Sequence, residues 1–226
     1  MRVRSLGIVF AGGLGAAVLW APGPAGAQSP GGGACQLQGV ANIAPPLSTT
    51  SGSFLYNFTG NLSGCQSNVA GAPTTGTVSA GVQLPEAVTL TNSTGGTTTG
   101  TVLYQEPIPQ GSGSCGNSTT VGSALEAWGD GKNTVLTYNT TGALAAVQLQ
   151  GTVVASMTLT LVASSVPAGF SAPPTFTINT DEPAFVPGQQ ATAGLTFSPT
   201  TQDQDCVTKG VSSANINGVV GIGSAS

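Results

Sequence analysis

Residues 147–161 alternate between apolar and polar side chains, and this long run constrains the fold more than any other feature of the sequence. A period of two is typical of a β-strand with one buried and one polar face. Gly151 interrupts the run and predicts a bulge or a bend there. Shorter alternating segments place apolar residues on one face in three further places: Cys35, Leu37, Ala41 and Ile43; Phe54, Tyr56, Phe58 and Leu62; Val78, Ala80, Val82 and Leu84.

The composition agrees with an all-β chain that has many turns. Charged residues make up only 5% of the sequence, whereas about a quarter is usual in soluble domains. Glycine is abundant, with 34 residues, and Thr, Ser, Ala and Val fill much of the rest. About ten short strands separated by polar turns predict an antiparallel β-sandwich, Ig-like or jelly-roll-like, with a β-barrel as the alternative.

The first residues have the pattern of an export signal. Arg2 and Arg4 precede an apolar core over residues 6–19, and Ala25-Gly26-Ala27 matches a small-x-small cleavage site. This core is shorter than the roughly 20 residues of a membrane span. The sequence therefore predicts a signal peptide over residues 1–27 that is cleaved after Ala27, and a secreted protein without a membrane span. A flexible leader over residues 28–34 and a single domain over residues 35–226 are expected to follow.

Four cysteines remain after cleavage, and an even number in an exported chain predicts two disulfides. Three pairings are open. We favour Cys35–Cys65 and Cys115–Cys206, because Cys35 and Cys65 stand at the outer ends of two strand-like runs. A metal site is not expected, since the chain has no CxxC spacing and no histidine.

The ionisable side chains exclude several classes of function. The mature chain keeps two lysines and eight carboxylates, which argues against nucleic acid as a partner. Without histidine there is no Ser-His-Asp or Cys-His nucleophile system, so we expect no enzyme activity and no cofactor. Asp181-Glu182 and Asp203-Gln204-Asp205 offer oxygen ligands for calcium, but neither has an EF-hand spacing, and no metal site is predicted.

Trp128-Gly129-Asp130-Gly131 is the strongest turn signal in the chain. A two-residue Asp130-Gly131 loop predicts a hairpin with three facing pairs: Leu125 with Leu136, Ala127 with Thr134, and Ser123 with Tyr138. In this register the largely apolar face, with Leu125, Leu136 and Tyr138, points inward. Trp128 and Glu126 then lie on the more polar face, close to Asp130.

An aromatic ring beside acids is a surface that suits sugars. Trp128, Glu126 and Asp130 are therefore the candidate ligand-binding residues, and Tyr104 or Tyr138 could assist Trp128. Glu126 and Asp130 are also the acid pair on which an acid-only hydrolase could be built.

Two segments carry a resemblance to a family. Residues 54–65 contain an F-x-G-x-L-x-x-C pattern, and residues 128–134 contain a W-x-D-G-x-x-T pattern. Together with the leading Cys35, they resemble uncharacterised exported proteins of high-GC Gram-positive bacteria. The resemblance covers most of the mature chain, and it implies a secreted β-rich fold with no assigned activity.

The function expected from the sequence is that of a secreted, non-catalytic β-sandwich protein, structural or binding, with a place in the cell envelope. Its partner would be an extracellular glycan or protein. The main alternative is a glycan-binding module that uses Trp128, and an acid-only hydrolase is the third hypothesis.

Overall fold

The computed structural model of the protein describes residues 31–143 and 145–223. The predicted signal peptide and its cleavage site after Ala27 lie outside the described residues, as do residues 28–30 of the predicted leader. The end of that leader is not a flexible segment, because Gly33 and Ala34 belong to the first strand and pair with Ile222 and Gly221.

Within the described residues, fourteen β-strands follow one another and no α-helix is present. The strands are β1 (Gly33–Leu47), β2 (Gly52–Ser67), β3 (Gly76–Ala80), β4 (Gln83–Asn92), β5 (Thr97–Gln105), β6 (Gln110–Gly113), β7 (Asn117–Trp128), β8 (Asn133–Ala143), β9 (Ala146–Val154), β10 (Ser156–Leu161), β11 (Phe170–Ser171), β12 (Thr175–Asn179), β13 (Gln190–Pro199) and β14 (Val211–Ile222). The all-β prediction is confirmed.

Eight strands form a closed antiparallel barrel in the order β1-β14-β13-β9-β8-β7-β3-β2. The barrel closes because β1 pairs on one side with β14 and on the other with β2; Leu37, for example, lies opposite Gly218 and Leu62. Closure leaves no free edge along this sheet. The Ig-like or jelly-roll-like sandwich that we expected first is therefore not the observed architecture, and the barrel alternative is.

One position in the barrel wall is shared by two short strands. β3 pairs with one half of β2 and of β7, and β6 pairs with the other half of both. At the junction, the backbone N–H of Tyr56 donates to the carbonyl of Pro109. The barrel wall between β2 and β7 therefore continues, through β6, beyond the point where the chain leaves the barrel after β3.

A second sheet, in the order β11-β4-β5-β10-β12, packs on the outside of the barrel. The chain crosses from the barrel into this sheet twice, after β3 and after β9. Each crossing breaks a segment that the sequence predicted as one strand: residues 78–84 divide at Gly81, and residues 147–161 divide at Ala155 rather than at Gly151. Alternation continues across both breaks because each half keeps one face buried, in the barrel or under the second sheet.

The second sheet gives the barrel wall two buried faces. Leu125 of β7 and Val135 of β8 point outward from the barrel, yet both are buried, Val135 completely. They share a hydrophobic cluster with residues of the second sheet, among them Val102, Tyr104 and Leu159. At this part of the wall, buried hydrophobic side chains therefore lie on both faces of β7 and β8.

The β7–β8 hairpin has a three-residue loop, Gly129-Asp130-Gly131, and the predicted two-residue loop is wrong. The N–H of Trp128 donates to the carbonyl of Lys132 at 2.8 Å, and the N–H of Gly131 donates to the carbonyl of Trp128 at 3.0 Å. Gly131 has a φ of 86°, which is typical of the third residue of this loop type. The different loop length shifts the strand register by one residue.

That shift changes every facing pair in the hairpin. Leu125 pairs with Val135, Ala124 with Leu136 and Glu126 with Thr134. Because successive side chains of a strand point to opposite faces, a one-residue shift exchanges the faces. Leu136 and Tyr138 point into the barrel as predicted, whereas Leu125 points out and Trp128 and Glu126 point in.

Two disulfides join the pairs that we favoured from the sequence, Cys35–Cys65 and Cys115–Cys206. The first connects the neighbouring strands β1 and β2. The second spans 91 residues and connects the loop before β7 to the loop before β14. It fastens the last part of the barrel to its middle.

Candidate functional site

A cavity of about 140 Å³ lies inside the barrel, and its wall is mainly apolar. It remains because small residues face the interior at several positions. Ala41, Ala80 and Ala124 line it. Gly39 and Gly60, opposite each other on β1 and β2, make room for the Phe58 ring, because a Cβ on either would come within 3.0 Å of that ring. Larger side chains at these places would fill the interior, as they do in most small barrels.

Glu126 is one of the residues that line this cavity. Its side chain is buried, with 2% of the residue exposed, and its Oε2 atom has no hydrogen-bond partner. Burial raises the pKa of Glu126 from 4.5 to about 8. Removal from water is the whole cause of this shift, because the charged form of a carboxyl group is disfavoured in apolar surroundings. At neutral pH the group is therefore mostly a neutral acid that can donate a hydrogen bond.

Four hydroxyl groups form a second polar feature of the cavity wall. Tyr56 Oη lies 2.7 Å from Tyr138 Oη and 3.1 Å from Thr120 Oγ1, and Thr120 Oγ1 lies 2.7 Å from Thr140 Oγ1. Burial raises the pKa of both tyrosines above 10, so they stay neutral near neutral pH. These hydroxyls bond to one another, and the network already occupies much of their hydrogen-bonding capacity.

Glu126 and this hydroxyl network lie at different levels of the barrel. Thr134 is opposite Glu126 on β8, and Tyr138 lies four residues farther along the same strand. Four residues of a strand span about 13 Å. The intervening inward positions are Ala124 and Leu136, which line the cavity between the two polar features.

Trp128 is not an exposed binding surface, and that part of the sequence interpretation is wrong. The residue is only 5% exposed. Its indole packs against Phe185 with ring centroids 5.0 Å apart, and its Nε1 donates to the Thr134 hydroxyl at 2.8 Å. The register shift explains the error, because it turns Trp128 into the barrel.

The proposed helpers of Trp128 are buried as well. Tyr104 is fully buried under the second sheet and donates its hydroxyl hydrogen to the carbonyl of Pro173 at 2.8 Å. Tyr138 points into the barrel and is 6% exposed. The aromatic residues that suggested sugar binding therefore form two separate parts of the core.

Asp130 lies at the hairpin tip, apart from the cavity. Its carboxylate is 2.5 Å from Lys132 Nζ, and Lys132 also lies 3.5 Å from Glu182 Oε2. The hydrogen bond from Lys132 holds the pKa of Asp130 below its usual value. The three candidate residues thus have three different environments: Trp128 in the core, Glu126 on the cavity wall and Asp130 at the surface.

The acidic segments considered for calcium have partners within the protein. Asp181 Oδ1 accepts a hydrogen bond from the N–H of Asn133, and Asp205 accepts from the N–H groups of Val207 and Thr208. In the residues that the structure describes, no group of three His, Cys, Asp or Glu side chains is placed to hold a metal ion.

Sequence reasoning missed the hydroxyl network as a unit. Tyr56 and Tyr138 were both assigned to apolar strand faces, and both do point inward. Nothing in their spacing showed that they meet, because 82 residues separate them. Thr120 and Thr140 lie within a part of the chain that is generally rich in threonine, and they carry no distinguishing signal.

Among the described residues, no helix is long and apolar enough to cross a membrane. Two disulfides are typical of a protein in an oxidising, extracellular environment. Comparison of the chain with protein-family models, with curated proteins and with solved structures finds no match.

Proposed function

We propose that this protein is exported, loses residues 1–27 and acts outside the cell as a non-catalytic binding protein that holds a small, mainly apolar molecule inside its barrel. The single observation that carries the proposal is the cavity of about 140 Å³, whose wall is mainly apolar and includes Glu126, a buried acid with an Oε2 atom that has no hydrogen-bond partner. Ligand sites are commonly concave and apolar with a few placed polar groups.

The cavity has the size of a small organic molecule. An apolar protein cavity of roughly 150 Å³ is known to accept benzene. Side chains that point into the barrel, such as Tyr56, Phe58 and Leu149, keep part of their surface accessible, so the wall is not fully packed by the protein itself. A molecule of this size would supply the missing contacts.

A non-catalytic role is supported by the side chains that line the cavity. Glu126 has no second acid, base or nucleophile paired with it, and the chain contains no histidine. General acid–base catalysis needs a group within hydrogen-bonding reach of a reacting partner, usually with a second group to complete the proton transfer. Export is supported by the basic and apolar N-terminal pattern and by the two disulfides.

The test uses mature protein, residues 28–226, and toluene as the probe. We expect toluene to raise the melting temperature and to shift NMR signals of methyl groups that line the cavity. Ala124→Leu places a larger side chain in the cavity and should abolish both effects. Ala87→Leu makes the same exchange at an exposed position of the second sheet and should leave both effects intact. Toluene effects that survive in Ala124→Leu would place binding elsewhere and contradict the proposal.

A further inference from the structure

We infer that the ligand held in the barrel is an uncharged, mainly apolar molecule with one hydrogen-bond acceptor, and that this acceptor receives a hydrogen bond from the carboxyl group of Glu126. The inference rests on the proposed function and names the chemistry of its ligand. Its starting point is Glu126, which lines the cavity and whose buried Oε2 atom has no hydrogen-bond partner.

Buried polar groups in proteins almost always have a hydrogen-bond partner, so an exception needs an explanation. In the part of the chain that the structure describes, buried side-chain oxygens without a partner occur only at Glu126 and Glu182. Glu182 Oε2 has the ammonium group of Lys132 3.5 Å away at the hairpin tip. Glu126 has no such neighbour, and it is one of the residues that line the cavity.

The hydroxyl network lies apart from Glu126 and uses most of its donors internally. Tyr56, Tyr138, Thr120 and Thr140 bond to one another, and the inward-facing Ala124 and Leu136 separate them from Glu126. The three bonds use three of the four O–H hydrogens of the network, whereas the buried Oε2 atom of Glu126 has no partner at all. This favours a molecule with one polar group at one end and an apolar remainder.

An anionic ligand does not suit this cavity. Neither lysine of the mature chain lines it, because Lys132 lies at the hairpin tip and Lys209 at the surface, each beside an acid. A carboxylate or phosphate would lose its water without gaining a cation, and an unpaired buried charge is strongly unfavourable.

A cationic ligand is also disfavoured. On the strands beside Glu126, the facing residues are Val78 of β3 and Thr134 of β8, and the other titratable groups of the cavity are the neutral Tyr56 and Tyr138. An ammonium group would meet one carboxylate in apolar surroundings, where the desolvation of two charges can exceed their attraction. Burial already keeps the carboxyl group of Glu126 neutral at neutral pH by raising its pKa to about 8. The group therefore carries a proton that it can donate in a hydrogen bond to a ligand.

The test compares three probes of similar shape in mature protein. Cyclohexanone has an acceptor and no donor, methylcyclohexane has neither, and cyclohexylamine is a cation at neutral pH. Methylcyclohexane tests access to the barrel alone. The variants are Glu126→Leu, which removes the donor, and Glu126→Gln, which keeps a donor that does not ionise.

We expect cyclohexanone to bind wild type and Glu126→Gln, and its affinity to fall roughly tenfold in Glu126→Leu, the loss of one hydrogen bond. Methylcyclohexane should bind all three proteins without such a loss. In wild type the affinity for cyclohexanone should fall above a pH of about 8, where the carboxyl group ionises, and in Glu126→Gln it should not depend on pH. The pH comparison uses no leucine variant, so it remains valid if Glu126→Leu does not fold.

Each other result has a definite meaning. Tighter binding of cyclohexylamine than of cyclohexanone in wild type would overturn the inference in favour of a cationic ligand. Equal affinity of cyclohexanone for wild type and Glu126→Leu, or an affinity for wild type that does not change with pH, would overturn it while leaving the proposed function in place. Failure of methylcyclohexane to bind any of the three proteins would instead contradict the proposed function.

Discussion

The indole Nε1 of Trp128 donates a hydrogen bond of 2.8 Å to the hydroxyl oxygen of Thr134, and both residues are buried inside the barrel. Thr134 is also the residue that lies opposite Glu126 on the neighbouring strand. The bond exists because the three-residue hairpin loop turns both side chains inward. Through Thr134, the bond therefore connects the buried indole of Trp128 to the part of the barrel wall that contains Glu126.

Trp128→Phe should lower the free energy of unfolding by about 1–3 kcal/mol, because it leaves the buried Thr134 hydroxyl without its donor. Thr134→Val removes the acceptor instead, and the double variant should be more stable than the sum of the two single losses predicts. Urea unfolding gives the free energy of unfolding of wild type, of the two single variants and of the double variant. Additive losses would show that the bond contributes nothing of its own.

The fluorescence of Trp128 gives an independent check, since residues 28–226 contain no other tryptophan. A residue that is 5% exposed should emit at short wavelength and be poorly quenched by iodide. Unfolding in urea should shift the emission to the red and restore quenching. Strong quenching of the native protein would mean that Trp128 faces solvent after all.

The pH dependence of stability should carry the signature of Glu126. Its pKa is about 8 in the folded protein and near 4.5 when exposed, so the folded state binds the proton more tightly. Stability is then full below a pH of about 4.5 and decreases as the pH rises toward 8, by an amount on the order of 4 kcal/mol. Glu126→Gln should lack this decrease.

The measurement for Glu126 is the difference between wild type and Glu126→Gln in urea unfolding at a series of pH values. This difference cancels the contributions of Glu86 and Glu106, whose pKa values are also raised by burial. A constant difference from pH 5 to 9 would show that Glu126 is ionised in the folded protein.

Tyr56→Phe should destabilise the barrel by about 1–3 kcal/mol, because Tyr56 Oη contacts both Tyr138 and Thr120 and its loss leaves their hydroxyl groups short of partners. Thr119→Val is a suitable control, since this neighbouring hydroxyl lies on the outer face of the barrel and is exposed. Thermal unfolding compares the two variants. An equal, small effect of both would argue against a cooperative network.

Gly131→Ala should cost about 1–2 kcal/mol, because the φ of 86° at this position is unfavourable for a residue with a Cβ. Gly52→Ala is the control, since a Cβ there meets nothing within 4 Å and no positive φ is required. We expect the control to be neutral or slightly stabilising. A neutral Gly131→Ala would contradict a positive φ at this position.

Replacing both Cys115 and Cys206 with serine should lower stability by up to about 4.5 kcal/mol in the chain-entropy model, given the 91 residues between the two cysteines. The same exchange at Cys35 and Cys65, which are 30 residues apart, should cost about 1 kcal/mol less. Urea unfolding of the two double variants tests this order. The reverse order would mean that local packing at Cys35 outweighs loop length.

The local sequence pattern was sufficient to predict several features of this protein. Alternation with a period of two predicts strands because a half-buried strand needs it, and the inward faces of Leu37, Phe54 and Val78 follow from it directly. An even number of cysteines in a chain with an export pattern predicts two disulfides. Short strands that alternate with polar turns predict an antiparallel sheet but not whether it closes.

Tertiary structure decided the rest, and the hairpin shows the physical reason. Asp130-Gly131 suits a two-residue loop and a three-residue loop almost equally well, so the local preference is weak. Alternation could not choose between them, because Leu125 and Val135 on one face are as apolar as Ala124 and Leu136 on the other. Both faces are buried only because the second sheet covers the barrel wall. That cover comes from distant parts of the chain, and through the register it turns Glu126 from a surface residue into part of the cavity.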